Sequence, residues 1–266
     1  MNLPRISASS YSNTAPLIWP FLYGSQRGRA ELILDNAPAR SAELLKTGRV
    51  DAALVPVIAY QTIPGIRLVR NVCVGARKKV KSVCLVTRDK DLEAVSSVAL
   101  DVSSRTSVAL TKIIFREFLG HEPRWSAAEP DAEKMLYEHD CALLIGDPAL
   151  SLVAGASLRD DIRIYDLAQL WNRHTNSGFV FAMWMAKEQP PGIDFAAARD
   201  EGLRHVDEII ANYSEEIPLE AESFRRYLTD NISFRVTDEL EKGLAVFFDL
   251  CAKHSLIPKA RPPEYL

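Results

Sequence analysis

Short apolar runs alternate with segments of helical period along most of the chain, and this alternation constrains the fold more than any other feature. The runs at 51–57 and Cys141–Ile145 are almost continuously apolar and end near proline or glycine, which is typical of buried strands. Residues 106–119 instead repeat their apolar side chains at helical spacing. Strands followed by helices predict an α/β fold with mostly parallel sheets flanked by helices.

The pattern of strands resets near residue 88 and returns near residue 175. This predicts a discontinuous first lobe, residues 1–87 and 175–266, and a second lobe, residues 88–174, inserted into it. Two connections would then cross between the lobes. Such a two-lobed plan places a ligand cleft between the lobes, where closure about the connections excludes water.

Composition excludes several classes of function. The 266 residues carry 32 basic and 35 acidic side chains, a net charge of −3, and such a balance disfavours nucleic-acid binding. We find no apolar run of the roughly 18 to 20 residues that a membrane span needs, and no signal-peptide core near Met1. The expectation is a globular cytoplasmic protein without a membrane or nucleic-acid partner.

Cysteine and histidine positions predict no cofactor. The four cysteines form no C-x-x-C pair, and the five histidines form no metal-binding spacing such as H-E-x-x-H. No dinucleotide-binding glycine pattern is present either. We therefore predict that the protein uses neither a metal nor an organic cofactor, and that its cysteines are small buried side chains.

Two polar loops are the first candidates for ligand binding, because loops at the carboxyl ends of strands are where α/β sheets bind ligands. One follows the first strand, and the other follows the strand predicted at 95–102. Hydroxyl, amide and guanidinium groups at a helix start suit an anion, although simple helix capping is an alternative interpretation of both loops. The candidate residues are Ser10, Tyr11, Asn13 and Thr14 in the first loop and Ser103, Arg105, Thr106 and Ser107 in the second.

Two further positions stand at the ends of apolar strands. Ser82 follows a basic run and has no G-x-S-x-G context, so a serine-hydrolase function is unsupported. Gly146 and Asp147 end the strand Cys141–Ile145, and an acid there either orients a cleft hydroxyl, acts as a base or caps a turn before Pro148.

Six motifs, taken in order, resemble the chorismate dehydratase family of the futalosine route to menaquinone. The match runs from residue 5 to about 185, with a helical tail of the expected length. The motifs are SYSNTxPL from Ser10, GxxDAALVPV from Gly48, KSV from Lys81, ALDxSSxTS from Ala99, LIGDxAL from Leu144 and YDLxxxW from Tyr165. One segment departs from the family, since residues 175–179 lack a proline before the return strand, which leaves the stiffness of that connection open.

The resemblance implies a type II periplasmic-binding-protein fold used as a cytoplasmic enzyme. It implies a hydro-lyase that removes water from chorismate, a small dicarboxylate, to give 3-[(1-carboxyvinyl)oxy]benzoate. Asn13 and Ser82 would then act on the substrate, and Pro56, Val83, Gly146 and Asp147 would join the two loops in binding it.

Other functions stay open at this point, as does the proton acceptor. The competing functions are the related naphthoate synthase of the same pathway and a non-catalytic small-anion binding protein. The base is either the enolpyruvyl carboxylate of the substrate or Asp147, because serine and asparagine accept protons poorly near neutral pH. The sequence leaves the oligomeric state undetermined.

Overall fold

The computed structural model describes residues 3–35, 38–155 and 160–266. Two five-stranded sheets form the two lobes, and helices cover them. The strands are β1 (Arg5–Ser9), β2 (Glu31–Asp35), β3 (Ala52–Pro56), β4 (Arg67–Ala76), β5 (Val83–Arg88), β6 (Ser97–Asp101), β7 (Arg124–Ala128), β8 (Cys141–Ile145), β9 (Ile162–Asp166) and β10 (Phe179–Ala186). The helices are α1 (Ala15–Leu22), α2 (Pro38–Lys46), α3 (Ala59–Thr62), α4 (Thr106–Ile113), α5 (Ala132–Glu138), α6 (Gly146–Gly155), α7 (Leu167–Thr175), α8 (Phe195–Arg204), α9 (Val206–Tyr213), α10 (Ala221–Arg226) and α11 (Asp238–Lys253).

The first sheet has the strand order β2-β1-β3-β10-β4. Parallel pairing joins β1 to β2 and β3, whereas β10 lies antiparallel between β3 and β4. Every residue of the apolar central strand β3 is buried, as the continuous hydrophobic run predicts.

The second sheet has the order β7-β6-β8-β5-β9, with β5 antiparallel between β8 and β9. The strand β5 therefore belongs to the second lobe, and the lobe boundary lies before residue 83 rather than at residue 88 as the sequence pattern indicated. The physical reason is that β4 and β5 are equally apolar, so hydrophobicity does not tell which sheet either strand joins.

The two sheets share one plan. In each of them four strands run in one direction, and a reversed strand occupies the fourth position, β10 in the first sheet and β5 in the second. The prediction of mostly parallel sheets is thus confirmed. Both reversed strands are the ones that the chain enters after crossing between lobes: residues 77–82 lead into β5, and residues 176–178 lead into β10.

Four elements of the second lobe, β7, β9, α6 and α7, escaped the sequence pattern. Strand β7 lies at an edge and is half exposed, so it lacks an apolar run, and β9 is an edge strand of similar exposure. Helix α6 begins at Gly146, where a turn was expected, because Pro148 stands in its first turn, a position that tolerates proline.

The return crossover at 176–178 is held by side chains. Asn176 ends α7 in the left-handed conformation, with φ of 49°. The indole nitrogen of Trp171 donates hydrogen bonds to Ser177 Oγ and to the Gly178 carbonyl, both at 3.1 Å. A Cβ on Gly243 of α11 would lie 1.9 Å from the Gly178 carbonyl oxygen, so the helix packs directly on the crossover. This packing fixes the segment without a proline.

Candidate functional site

A cavity lies between the two lobes, at the loops that follow β1 and β6. Its enclosed volume is about 60 Å³, and the space open to solvent around it brings the total to about 530 Å³. The first lobe contributes Ser9, Tyr11, Asn13, Thr14, Pro38, Leu54, Pro56, Val74, Phe181 and Ala182, and the second contributes Val83, Ser103, Ser104, Thr106, Ser107, Ile145 and Gly146.

The loop after β1 is shaped by its own hydrogen bonds. Residues Ser12–Thr14 form one 3-10 turn, and Thr14 Oγ1 donates to the carbonyls of Ser9 at 2.7 Å and Tyr11 at 2.8 Å. These bonds fix the turn that holds Asn13 at the cavity wall. Helix α1 begins without a side-chain cap at Thr14, so the structure does not support the interpretation of this loop as a simple helix cap.

The loop after β6 brings hydroxyl groups to the opposite wall. Asp101 is buried, and its Oδ1 accepts hydrogen bonds from Ser103 N at 2.8 Å and Ser103 Oγ at 2.6 Å. Burial raises the pKa of Asp101, and the bonds from Ser103 oppose that rise. Ser104 Oγ accepts from Ser107 N at 3.3 Å at the start of α4, so one hydroxyl of this loop does serve the helix start.

Two of the binding residues predicted in the polar loops do not line the cavity. Arg105 precedes α4 with an exposed side chain, so its guanidinium is not part of the wall. Ser10 lies at the outer end of the first loop, where its carbonyl accepts a hydrogen bond from Tyr213 at 2.9 Å. The two residues stay predictions as substrate contacts.

Asp147 connects the two lobes. Its carboxylate accepts hydrogen bonds from Ser12 N, at 3.1 and 3.2 Å, and from Ser12 Oγ at 2.5 Å. Burial raises the pKa of Asp147, the bonds from Ser12 lower it, and the charge of Glu216 raises it. The carboxylate is outside the set of cavity-lining residues and lies at the mouth of the cleft instead. The contact between Asp147 and Ser12 joins the two lobes, and we call it the latch.

Two more contacts cross the cleft. The Tyr11 ring packs against Gly146, where an added Cβ would lie 2.9 Å from ring carbons, and Gly146 has a φ of 64°. The backbone nitrogen of Ile58 donates to Thr106 Oγ1 at 3.3 Å. These contacts, together with the latch, hold the lobes against each other.

Ser82 lies on the outward crossover, next to the cavity-lining Val83. Its side chain is fully buried, and its carbonyl accepts from Gly146 N at 2.8 Å. The crossover is anchored by buried Asp166, whose carboxylate accepts from Val80 N at 3.0 and 3.2 Å and from Lys81 N at 2.6 Å. Burial raises the pKa of Asp166, and these backbone donors oppose the rise. The position of Ser82 is therefore set by contacts with the second lobe.

The remaining walls are apolar and were not identified from the sequence. Leu54, Val74 and Phe181 come from β3, β4 and β10 of the first sheet. Their sequence signal is that of any buried strand, so nothing separates a cavity wall from the core. Ser104 is different, because it stands in the same hydroxyl-rich run as the predicted residues, and that run is a signal that marks it as a binding residue too.

No charged side chain is among the described residues that line the cavity. Across residues 3–35, 38–155 and 160–266, no group of three or more His, Cys, Asp or Glu side chains is placed to hold a metal ion. The four cysteines are buried free thiols, as predicted, and burial raises the pKa of Cys73 to about 12. Within the same described ranges, helices long and apolar enough to cross a bilayer are absent. The cytoplasmic location stays a prediction.

Solved structures with the same fold are two-lobed binding proteins and related chains. A protein from Archaeoglobus fulgidus superposes with a TM-score of 0.69 at 13% identity, covering 96% of this chain and 98% of that one. The periplasmic aliphatic sulphonate binding protein of Escherichia coli superposes with a TM-score of 0.63 at 18% identity, covering 99% and 94%. At these identities the likeness establishes the fold, and it confirms the predicted periplasmic-binding-protein architecture.

Sequence comparison identifies the family. A chorismate dehydratase from Thermus thermophilus is 29% identical over 265 residues, which span 93% of this chain and 93% of that protein. The sequence profile of a family described as menaquinone biosynthesis matches residues 4–253, and those residues include both lobes and every cavity-lining side chain. This chain therefore belongs to the menaquinone biosynthesis family.

Proposed function

We propose that this protein is a chorismate dehydratase, a hydro-lyase that converts chorismate to 3-[(1-carboxyvinyl)oxy]benzoate and water. The observation that carries the proposal is the cleft, in which Asn13 of one lobe faces the hydroxyl groups of the other across apolar walls. The similarity to a chorismate dehydratase along 93% of the chain supports the same activity.

The parts of chorismate have counterparts in the cavity. The substrate has two carboxylates, and each lobe offers a hydroxyl-bearing loop at a helix start where backbone N–H groups favour an anion. We assign one carboxylate to the loop at Asn13 and the other to the start of α4 at Thr106. The ring then lies against the apolar side chains of Leu54, Val74 and Phe181.

The elimination needs a base, a group that delocalises the developing negative charge, and a leaving group. The proton leaves the ring carbon that bears the enolpyruvyl ether, and hydroxide leaves the neighbouring carbon. The electron pair of the broken C–H bond becomes the new ring double bond, and the proton and hydroxide together make up the water released. Negative charge that develops before hydroxide departs is conjugated to the ring carboxylate, so hydrogen-bond donors there stabilise it. Formation of an aromatic ring drives the reaction.

We assign the base to the enolpyruvyl carboxylate of the substrate. A carboxylate taken from water into a cavity whose described lining carries no charge has a raised pKa, which makes it a better proton acceptor. Asp147 is held by Ser12 at the mouth of the cleft, away from the lining, which supports this choice over Asp147. Asn13 and Ser82 orient the ring, the leaving hydroxyl or that carboxylate. An analogue with the enolpyruvyl carboxylate amidated should bind without reacting, and its turnover would refute the assignment.

The activity is tested by mixing the pure protein with chorismate and following a benzoate-type product by ultraviolet absorbance and mass. We propose that no metal or organic cofactor takes part, so product should form equally with and without a chelator. Activity lost on chelation and restored by one metal would overturn that part of the proposal. No product under either condition would favour a small-anion binding protein.

A further inference from the structure

Tyr227 lies behind the site, on the carboxyl-terminal part of the chain. It is fully buried and begins the π-helical turn Tyr227–Asn231 after α10. Its ring stacks on Phe224 with ring centroids 6.1 Å apart, and Phe224 meets Tyr213 edge-on at 6.4 Å. Because Tyr213 bonds to the Ser10 carbonyl, this aromatic column supports the loop that carries Asn13.

The same turn is attached to the outward crossover. Asn231 Nδ2 donates a hydrogen bond to the Lys79 carbonyl at 3.1 Å. Ser82 follows three residues later in the chain, after Lys81, which has a left-handed φ of 64°. The turn at Tyr227 is thus joined to both of the segments that carry the two proposed catalytic side chains.

The Tyr227 hydroxyl faces the side chains of Ser82 and Asn13. Burial raises the pKa of the phenol, and hydrogen bonding toward these two side chains opposes the rise, so the hydroxyl stays neutral and keeps both a donor and an acceptor. Among the described residues, neither Tyr227 Oη nor Ser82 Oγ has a partner at full hydrogen-bond geometry.

Two adjacent buried hydroxyl groups without a satisfied partner need an explanation, since a buried polar group left unpaired is destabilising. Phenylalanine would fill the space of the Tyr227 ring, stack on Phe224 in the same way and avoid the unpaired oxygen. Packing therefore accounts for the ring of Tyr227 and leaves its hydroxyl unexplained.

We infer that Tyr227 is a positioning residue for the reaction. Its hydroxyl orients Ser82 Oγ and the Asn13 amide toward the substrate, and the hydrogen-bond network among the three side chains becomes complete when substrate binds. The inference rests on the proposed function, because it acts through the residues assigned to chorismate.

The test compares Tyr227→Phe with the wild type in the chorismate assay. We expect kcat to fall about 10- to 100-fold, the size of effect that misplacement of a catalytic group produces, while KM changes less than about threefold. Tyr60→Phe is the matched control. Tyr60 is as buried as Tyr227 in the same lobe, and its hydroxyl donates to the Pro262 carbonyl at 2.6 Å, away from the cavity, so its loss should leave kcat unchanged.

A second measurement separates positioning from a structural role. In a Ser82→Ala background, Tyr227→Phe should cause a smaller fold-loss of kcat than it does in the wild type, because the part of its effect that passes through Ser82 is already absent. Losses that multiply, or wild-type kcat in Tyr227→Phe, would overturn the inference while the proposed function stands. A wild-type protein that makes no product from chorismate would overturn both.

Discussion

Replacing Asp147 with Asn tests whether this carboxylate is a latch or a base. The variant keeps the side-chain shape and one carbonyl oxygen that can accept from Ser12 N, but it removes the negative charge and places an NH2 group beside Ser12 Oγ. Hydrogen bonds to a charged group contribute about 1.5 to 3 kcal/mol and neutral ones about 0.5 to 1.5 kcal/mol. The contact between lobes should therefore weaken by about 1 to 2 kcal/mol.

In the chorismate assay, this loss of interaction energy between the lobes weakens their closure on the substrate. It should raise KM about 5- to 30-fold, the factor that 1 to 2 kcal/mol produces, and leave most of kcat. Loss of a general base would instead lower kcat by about 100- to 10,000-fold. The two roles of Asp147 thus predict changes in different kinetic constants.

The matched control is Asp131→Asn in the same lobe. Asp131 accepts a hydrogen bond from Lys134 N at 3.1 Å at the start of α5, and it is not among the residues that line the cleft. The Asp131→Asn variant should therefore have the kcat and KM of the wild type. An Asp147→Asn protein that binds chorismate normally and has almost no kcat would refute both the latch and substrate assistance.

Three other changes have defined outcomes. Asn13→Ala and Ser82→Ala should fold with unchanged Tm and lose about 100-fold or more in kcat, since each removes a group that orients the substrate. Gly146→Ala should raise KM, because its Cβ would lie 2.9 Å from the Tyr11 ring and keep the lobes apart. Because burial holds the pKa of Asp147 above its ordinary value, the folded protein binds this proton more readily than the unfolded chain. The free energy of unfolding in urea, relative to Asp147→Asn, should therefore rise as the pH falls from 7 toward about 4.

Each of these outcomes has a result that would contradict it. Wild-type turnover in a folded Asn13→Ala or Ser82→Ala protein would remove that residue from the site. Gly48→Ala is the control for Gly146→Ala, because Gly48 has a φ of 69° with open space around it, and an equal rise in KM there would show that steric contact across the cleft is not the cause. A difference in unfolding free energy independent of pH would mean that Asp147 has an ordinary pKa.

Local segments of the site could be predicted from the sequence, whereas contacts between distant segments could not. Asn13 and Thr106 stand in polar loops directly after strands, and that position alone marks them. Ser12 and Asp147 are 135 residues apart, and no local pattern pairs them across the cleft. Arg105 has the chemistry of an anion ligand, but residue type does not determine where its side chain points.

The same limit applies to the fold. The apolar runs located β3, β8 and β10, because buried strands need continuous hydrophobic residues. They did not locate the edge strand β7, whose half-exposed residues have no such signal. Tyr227 was missed for a related reason, since an aromatic residue in an amphipathic helical stretch has the pattern of an ordinary core position.

The place of β10 between β3 and β4 determines the order in which the lobes can form during synthesis. The second sheet uses residues 83–166 alone, so all its strands have been made before β10 is translated. The first sheet lacks its fourth strand until residues 179–186 leave the ribosome, and until then β3 presents an unpaired apolar edge. Unpaired strand edges of this kind promote aggregation. The inserted lobe should therefore fold first, and the nascent first lobe should depend on chaperones until the return crossover has been synthesised.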